Sequence, residues 1–285
     1  MNQVFDFNRF TLLVSKHWSE NRKKYLLGLV AMAGMLFFWY SFVLIFNSSS
    51  GIGTDMQILT FFFGLAILGC FFGSMLFNEL SSGPKAMNYL SFPASHFEKL
   101  VCGLLYGVVF FFIAFTVIFY IVDFAMVNFG NSIAGEPTNL GEAIKNPVKV
   151  VNVFGRNPNT GLAAGNEGPN PFLGFIFTYV AVQSAYILGS VYFAKFSFIK
   201  TTIALAFVAL VITLFVSKVL YPMLPDHGFY NNLTSLRVFT DGNYDSAKLV
   251  TLPGWLDDTL LFILRYAFAP IFWIVTYFRF KEKEV

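Results

Sequence analysis

The sequence predicts an all-α polytopic integral membrane protein with six transmembrane helices and an N-terminal interfacial amphipathic helix. Three observations support this fold class. Of the 285 residues, 56% are hydrophobic and only 12% are charged, about half the charged share of a soluble domain. Apolar runs of about 20 residues recur along the chain, and each satisfies its backbone in lipid only as a helix. An amphipathic stretch with helical spacing precedes the first run.

Six apolar runs are long enough to cross a bilayer as helices. They are Tyr25–Phe46, Gln57–Phe77, Val101–Met126, Pro171–Ala194, Thr202–Tyr221 and Leu256–Phe278. The first run is longer than a signal-peptide core and no small-x-small cleavage pattern follows it, so we expect a retained span. These runs divide the chain into an N-terminal segment 1–24, a transmembrane domain 25–278 and a tail 279–285.

The distribution of Lys and Arg predicts the orientation in the membrane. Twelve of these residues lie in the N-terminal segment, the second-to-third and fourth-to-fifth loops and the tail, against six on the other side. Because positive residues accumulate on the cytoplasmic side, both termini are expected in the cytoplasm. We therefore expect a multi-pass protein of the plasma (inner) membrane.

The N-terminal segment has one apolar and one charged helical face. Its apolar positions include Phe7, Phe10, Val14 and Trp18. This pattern predicts a helix that lies flat on the inner leaflet, with the basic residues 22–24 meeting lipid headgroups. Such a helix is either a simple topology anchor or an elbow that braces a transport pathway.

Two long outer loops cover residues 127–170 and 222–255. The first is rich in Gly, Asn and Pro, which favours turns or mobile chain near the membrane. The second contains a mixed segment, 233–252, that is compatible with a short helix or a hairpin. The two halves of the chain show no internal repeat, which argues against inverted-repeat secondary transporters.

The loop 78–100 between spans two and three carries the most specific pattern in the chain. Glu79 leaves the second span, Gly83 and Pro84 form a turn, and a short amphipathic piece with Met87 and Leu90 follows. Pro93 and Ser95 then start a new helix whose first turn holds Glu98. Ser at the N-cap with Glu three residues later is the pattern of a helix start.

This layout resembles the permease subunits of ATP-binding-cassette (ABC) transporters of the type-2 exporter family. Those proteins have six spans, inward termini, an N-terminal interfacial helix and short external helices between spans five and six. The resemblance implies that the 78–100 loop docks on a separate cytoplasmic ATPase and that the permease pairs with itself or a relative. The matching positions are Glu79, Gly83, Leu90, Pro93 and Ser95, with Glu98 in the following turn.

The chain also departs from the family pattern. Pro84 stands where the family usually has Thr, and the Gly-Lys step that usually enters the third span is absent. The third-to-fourth outer loop is longer than usual. As sequence, the resemblance covers only about 25 residues, and as topology it covers most of the chain.

Charges inside the spans are rare and therefore informative. Arg265 lies within the last run, where a central arginine costs about 2.5 to 3.5 kcal/mol, so it faces protein or water unless it snorkels to an interface. Asp123, Glu79 or a substrate anion are candidate partners. Asp257 and Asp258 suit the positive end of the sixth helix better than a metal.

The sequence also contains glycine pairs at helical spacing and a few potential metal ligands. The pairs Gly69/Gly73 and Gly103/Gly107 permit close helix approach. The three histidines, His17, His96 and His227, are scattered, and Cys70 with Cys102 supplies too few ligands for a zinc site, so we expect buried cysteines and no metal.

The sequence predicts no catalytic activity of its own. It contains no Gly-x-x-x-x-Gly-Lys-Ser/Thr loop, no His-Glu-x-x-His and no Gly-x-Ser-x-Gly motif, and we expect no cofactor and no nucleic-acid partner. The leading hypothesis is an exporter permease driven by a partner ATPase and embedded in membrane lipid. The alternatives are a non-transport anchor or assembly protein whose outer loops bind a partner, and an intramembrane enzyme.

Overall fold

The computed structural model describes the chain as a bundle of long helices with one small sheet. The described residues are 5–46, 52–81, 86–87, 89, 91–133, 148–155, 171–193, 195–220, 228–232, 235–239, 247–251 and 253–282. The helices are α1 (Phe7–Phe46), α2 (Thr54–Met75), α3 (His96–Ile133), α4 (Pro171–Tyr192), α5 (Ser197–Phe215), α6 (Gly254–Phe262) and α7 (Phe268–Glu282).

Five helices are long and apolar enough to cross a membrane, namely α1 to α4 and α5 with its extension to Lys218. They coincide with the first five predicted spans, which is consistent with an all-α membrane protein. The sixth predicted span, Leu256–Phe278, is covered by α6, a π-helical turn at Ile263–Ala267 and α7. Since its two α-helices have only 9 and 15 residues, it is not among the five.

Helix α1 runs without a break through the predicted boundary at residue 24. No proline interrupts it, and the basic residues 22–24 are good helix formers. Its 40 residues give a length of about 60 Å, twice the roughly 30 Å hydrocarbon core of a bilayer. About half of α1 therefore has to lie outside the hydrocarbon of any membrane that the other half crosses.

The first half of α1 packs on the start of α3. The Asp6 backbone N lies 2.7 Å from Glu98 Oε1, and the Tyr25 and Tyr106 rings stack 5.6 Å apart. The Tyr106 hydroxyl also donates a 3.0 Å hydrogen bond to the Val14 carbonyl, so one side chain of α3 contacts α1 from Val14 to Tyr25.

The main core joins α1, α2, α3 and α4. Its fully buried side chains include Tyr40, Phe61, Leu65, Phe115 and Phe119. Helix α4 lies against α2, α5 and α7, and α1 lies along α3. We call the end of the bundle that holds Asp6, Glu98 and Phe280 the base, and the end that holds Leu44, Gln57 and Asn131 the far end.

Both glycine pairs lie where neighbouring helices approach closely. A Cβ added at Gly69 would lie 2.8 Å from Cζ of Tyr179 on α4, and one at Gly73 would lie 3.3 Å from Cγ of Gln183. Gly103 and Gly107 face the end of α2 and the residues that follow it, since a Cβ at Gly107 would lie 2.8 Å from Leu76 Cδ2. The predicted close approach is confirmed at both pairs.

A three-stranded antiparallel sheet lies between α5 and α6 in the chain. Its strands are β1 (Gly228–Asn232), β2 (Ser235–Phe239) and β3 (Ala247–Thr251), in the order β1-β2-β3. The hairpin alternative for the segment 233–252 is therefore confirmed for β2 and β3. Residues 228–232, 235–239 and 247–251 of this loop pair as strands, and the short helix α6 begins at Gly254, at the end of the loop.

A segment without helix or strand, Val148–Gly155, enters the far end of the bundle and turns at Val153–Phe154; we call it the strap. Val151 and Val153 are buried, and Val148 and Val150 pack against the main core. The expectation of turns in the 127–170 loop agrees with the end of the strap, where the Gly155 N–H donates to the Asn152 carbonyl at 3.3 Å, while buried valine side chains fix the strap in place. The expectation is wrong for residues 127–133, which continue α3.

Candidate functional site

The predicted coupling loop is joined to α1 at the base by Glu98. Its Oε1 accepts hydrogen bonds from the Asp6 backbone N–H at 2.7 Å and from Arg9 Nη2 at 3.0 Å. Its Oε2 accepts the Ser95 backbone N–H at 2.8 Å, while Ser95 Oγ accepts the Glu98 N–H at 3.1 Å. Asp6, Arg9, Ser95 and Glu98 form what we call the base junction.

The base junction stabilises an ionised Glu98. The Glu98 side chain is fully buried and precedes the apolar run that begins at Val101, whereas Arg9 is 42% exposed. Burial by itself raises the pKa of the Glu98 carboxyl, but the Ser95 and Asp6 N–H groups and the Arg9 guanidinium outweigh it and lower the pKa below the ordinary value. The predicted helix start at Ser95 is confirmed as a capping box.

A second set of contacts joins the loop to α4 and α7. We call it the Phe280 cluster. Its buried members are Phe77, Leu80, Leu100, Ile187, Val191 and Phe280. The Phe280 ring lies 6.0 Å from Tyr89 and 6.1 Å from His96, two rings of the loop, and 5.6 Å from Phe77, which immediately precedes the loop. Sequence reasoning missed Phe280, because nothing in a C-terminal apolar run indicates which partner it packs on.

The structure describes part of the predicted coupling set. Ser95 and Glu98 belong to the base junction, and Pro93 is exposed beside it. Met87, in the short helical piece of the loop, is 74% exposed. Gly83, Leu90 and the Glu79 side chain lie outside the described residues. Among the described part of the loop, the exposed residues are Asn78, Met87, Ser91, Pro93 and Phe97.

The four residues predicted for the interfacial helix divide between two environments. Phe10 and Val14 pack against Cys102 and Tyr106 of α3, and the Tyr106 hydroxyl donates a 3.0 Å hydrogen bond to the Val14 carbonyl. Phe7 and Trp18 are 68% and 47% exposed. Part of the apolar face of α1 therefore packs against α3, and the rest of this face is exposed.

Asp123 is paired within the bundle with Tyr40. The Tyr40 hydroxyl donates a 2.6 Å hydrogen bond to Asp123 Oδ1, and neither residue is exposed. Asp123 Oδ2 has no partner among the described residues. Arg265 lies in the π-helical turn Ile263–Ala267, and its side chain is outside the described part of the chain. Sequence reasoning named Asp123 but missed Tyr40, since neighbours across helices leave no local pattern.

A buried glutamine links three helices where α3 is irregular. Gln183 of α4 donates from Nε2 to the Gly107 carbonyl at 2.8 Å and to the Gly69 carbonyl at 3.4 Å. Gly107 lies in a π-helical turn, Leu105–Phe110, where the regular backbone pairing of an α-helix is interrupted. A lone amide inside an apolar run indicates a buried polar contact, although it does not indicate the partner.

Both cysteines are buried and unpaired, as expected: Cys70 is 7% and Cys102 3% exposed. Within the described residues there is no group of three or more His, Cys, Asp or Glu side chains placed to hold a metal. The polar contacts described above join helices to one another and hold the base of the bundle.

A scan against protein-family models found no matching family, and searches of curated proteins and of solved structures found no match.

Proposed function

We propose that this chain is the membrane-spanning permease subunit of an ABC-type exporter, driven by a separate ATPase that docks on the 78–100 loop. The observation that carries the proposal is the attachment of this loop to four helices at once. The base junction connects it to α1 and α3, and the Phe280 cluster connects it to α4 and α7.

This attachment suits a loop that transmits force. A displacement of the loop moves Glu98, whose hydrogen bonds hold Asp6 and Arg9 of the α1 end, and it moves Leu80 and Leu100, which pack on Phe280. Because packed side chains resist compression, the displacement reaches the bundle instead of being absorbed in the loop. A loop that only tethers two spans needs none of these contacts.

In this proposal the base faces the cytoplasm of a plasma (inner) membrane and both termini lie there. The sixth span is formed by α6, the π-helical turn and α7. The first half of α1 lies at the inner leaflet, where the exposed Phe7 and Trp18 face lipid and residues 22–24 meet the headgroups. The permease pairs with itself or with a related chain.

The experiment is co-purification of the tagged chain from its native membrane in mild detergent, with ATPase activity assayed. We expect a nucleotide-binding subunit to co-purify. Met87→Glu, at an exposed loop position, should abolish co-purification without lowering thermal stability. Ile133→Glu, equally an exposed apolar position but at the far end, is the matched control and should leave co-purification intact.

Variants of the base junction distinguish docking of the ATPase from transmission of its movement to the helix bundle. Glu98→Gln should retain the ATPase subunit but weaken the response of its activity to the permease, since the loop remains while its ion pair with Arg9 is lost. If no nucleotide-binding protein co-purifies with the wild type, the exporter proposal is wrong and the anchor or assembly function takes its place.

A further inference from the structure

The strap is held by side chains that recognise peptide backbone. Asn131 Nδ2 donates to the Val148 carbonyl at 2.9 Å, and Asn131 Oδ1 accepts the Val148 N–H at 3.2 Å. Gln57 Nε2 donates to the Lys149 carbonyl at 3.3 Å, and its Oε1 accepts the Val151 N–H at 2.8 Å. Each amide thus offers one donor and one acceptor to the main chain, an arrangement that any extended peptide matches.

The rest of the strap is bound through apolar contacts. Val151 and Val153 are 5% and 4% exposed, and the Val153 N–H donates to the Tyr120 hydroxyl at 3.2 Å. The Phe154 ring lies 4.9 Å from Phe172 and 6.3 Å from Phe61. Lys149 is exposed, so the positive charge of the strap is not buried in the site.

We propose that the groove between α2, α3 and α4 at the far end is a binding site for a valine-rich polypeptide segment, and that the strap is its resident occupant. The backbone of the bound segment forms hydrogen bonds with Gln57, Asn131 and Tyr120. The core residues around Val151 and Val153 favour apolar side chains at those two positions. The site lies at the other end of the bundle from the base junction. Binding of a polypeptide at the far end does not require an ATPase at the base, so this inference does not rest on the exporter proposal.

The strap occupies the site because it is covalently part of the same chain. A covalently linked occupant has an effective concentration on the order of millimolar. A free peptide at micromolar concentration therefore does not displace it. Binding of a second polypeptide becomes measurable once the strap is no longer covalently held.

The test is to cut the strap free in the full-length protein. Protease sites are inserted into residues 134–147 and 156–170, which the structure does not describe, and the purified protein is cleaved at both in detergent. We expect the excised strap to remain with the protein on size exclusion. A fluorescent synthetic peptide of residues 147–155 should exchange into the site, and a scrambled peptide should not.

Two sets of variants test the chemistry of recognition. Asn131→Ala should weaken the peptide at least tenfold, whereas Asn128→Ala, which removes an exposed amide bonded only to its own helix, should not change binding. A peptide N-methylated at Val151 loses the N–H that Gln57 accepts and should bind at least tenfold more weakly than one methylated at Val150.

Three outcomes would overturn the inference. They are release of the excised strap with no exchange of labelled peptide up to millimolar concentration, equal binding of the scrambled peptide, and equal binding of the two methylated peptides. Because the methylated peptides are compared on one and the same protein, a variant that fails to fold does not affect that result. Co-purification of an ATPase plays no part in it, so the two proposals fail separately.

Discussion

The Tyr40 hydroxyl donates to Asp123 Oδ1 across α1 and α3 in a fully buried contact of 2.6 Å. The preceding residue, Trp39, donates its indole N–H to Thr60 Oγ1 on α2 at 3.0 Å. Two neighbouring side chains thus tie α1 to two different helices. Since a buried carboxylate without a donor is costly, the Tyr40–Asp123 pair should contribute to helix association beyond its apolar packing.

This pair should show positive coupling in a double-mutant cycle. Tyr40→Phe leaves Asp123 without its donor, so Asp123→Asn should cost less in that background than in the wild type, with a coupling of about 1 kcal/mol. The measurement is SDS titration in mixed micelles. Ser41→Ala, which removes a bond within α1 only, should be additive with Asp123→Asn. Additivity of the Tyr40 and Asp123 variants would contradict the role assigned to the pair.

Close packing of α2 on α4 should make Gly69 intolerant of a side chain. In Gly69→Ala the new Cβ overlaps the Tyr179 ring, so we expect a loss of stability of about 1 to 3 kcal/mol. Gly34→Ala is the matched control: a Cβ there meets nothing within 4 Å, and the change should be neutral or stabilise by up to about 1 kcal/mol. Thermal unfolding in detergent compares the two, and equal effects would show that α2 and α4 are not in close contact.

Gln183 should matter through its hydrogen bond to the π-helical turn. Gln183→Leu keeps the volume but leaves the Gly107 carbonyl without its side-chain donor, and we expect a loss of about 1 to 3 kcal/mol. Thr178→Val, on an exposed position of the same helix, should change stability by less than about 0.5 kcal/mol. The free energy of unfolding in mixed micelles is the readout. A gain in stability in Gln183→Leu would show that this carbonyl needs no donor.

The base junction should respond to mutation far more than an exposed ion pair. Glu98→Ala removes the capping box and the acceptor for Arg9 and Asp6, which should cost about 2 kcal/mol. Glu282→Ala breaks a 2.7 Å pair with Arg279 at an exposed site and should cost less than about 0.5 kcal/mol. Midpoints of thermal unfolding test the difference, and equal midpoints would argue against a structural role for Glu98.

The stability contributed by the base junction should decrease as the pH falls. Because the folded-state pKa of Glu98 is lowered, its contribution to stability is fully present above the unfolded value of about 4.3 and is lost as pH falls through the folded value. The stability difference between wild type and Glu98→Gln should therefore shrink on acidification below about pH 4.3. Unfolding midpoints of both proteins, measured from neutral pH downward, test this. If the difference between wild type and Glu98→Gln stays constant, ionisation of Glu98 is not the cause of the stabilisation.

Several features followed from local sequence patterns. The five long apolar helices were predictable because about 20 consecutive apolar residues leave the backbone no other partner in lipid. The capping box at Ser95 was predictable because its two partners lie three residues apart. The Gly69/Gly73 and Gly103/Gly107 contacts were predictable in kind, although their neighbours Tyr179 and Leu76 were not.

Contacts between distant segments left no such pattern. Glu98 is 92 residues from Asp6, Asp123 is 83 from Tyr40, and Gln183 is 76 from Gly107. The strap is a further example, since a Gly-, Asn- and Pro-rich loop gave no sign that Gln57 and Asn131 hold its centre.

The sequence by itself determined that this chain is helical and apolar enough to cross a membrane, and to within a few residues where α2 to α5 begin. Those properties depend on residues within a few turns of one another, so composition and spacing suffice. Only the tertiary structure decided that the loop after α2 is joined to α1 through Glu98 and to α7 through Phe280, and that the strap lies inside the far end. Such pairings depend on which helices meet, and that is set by the packing of the whole bundle.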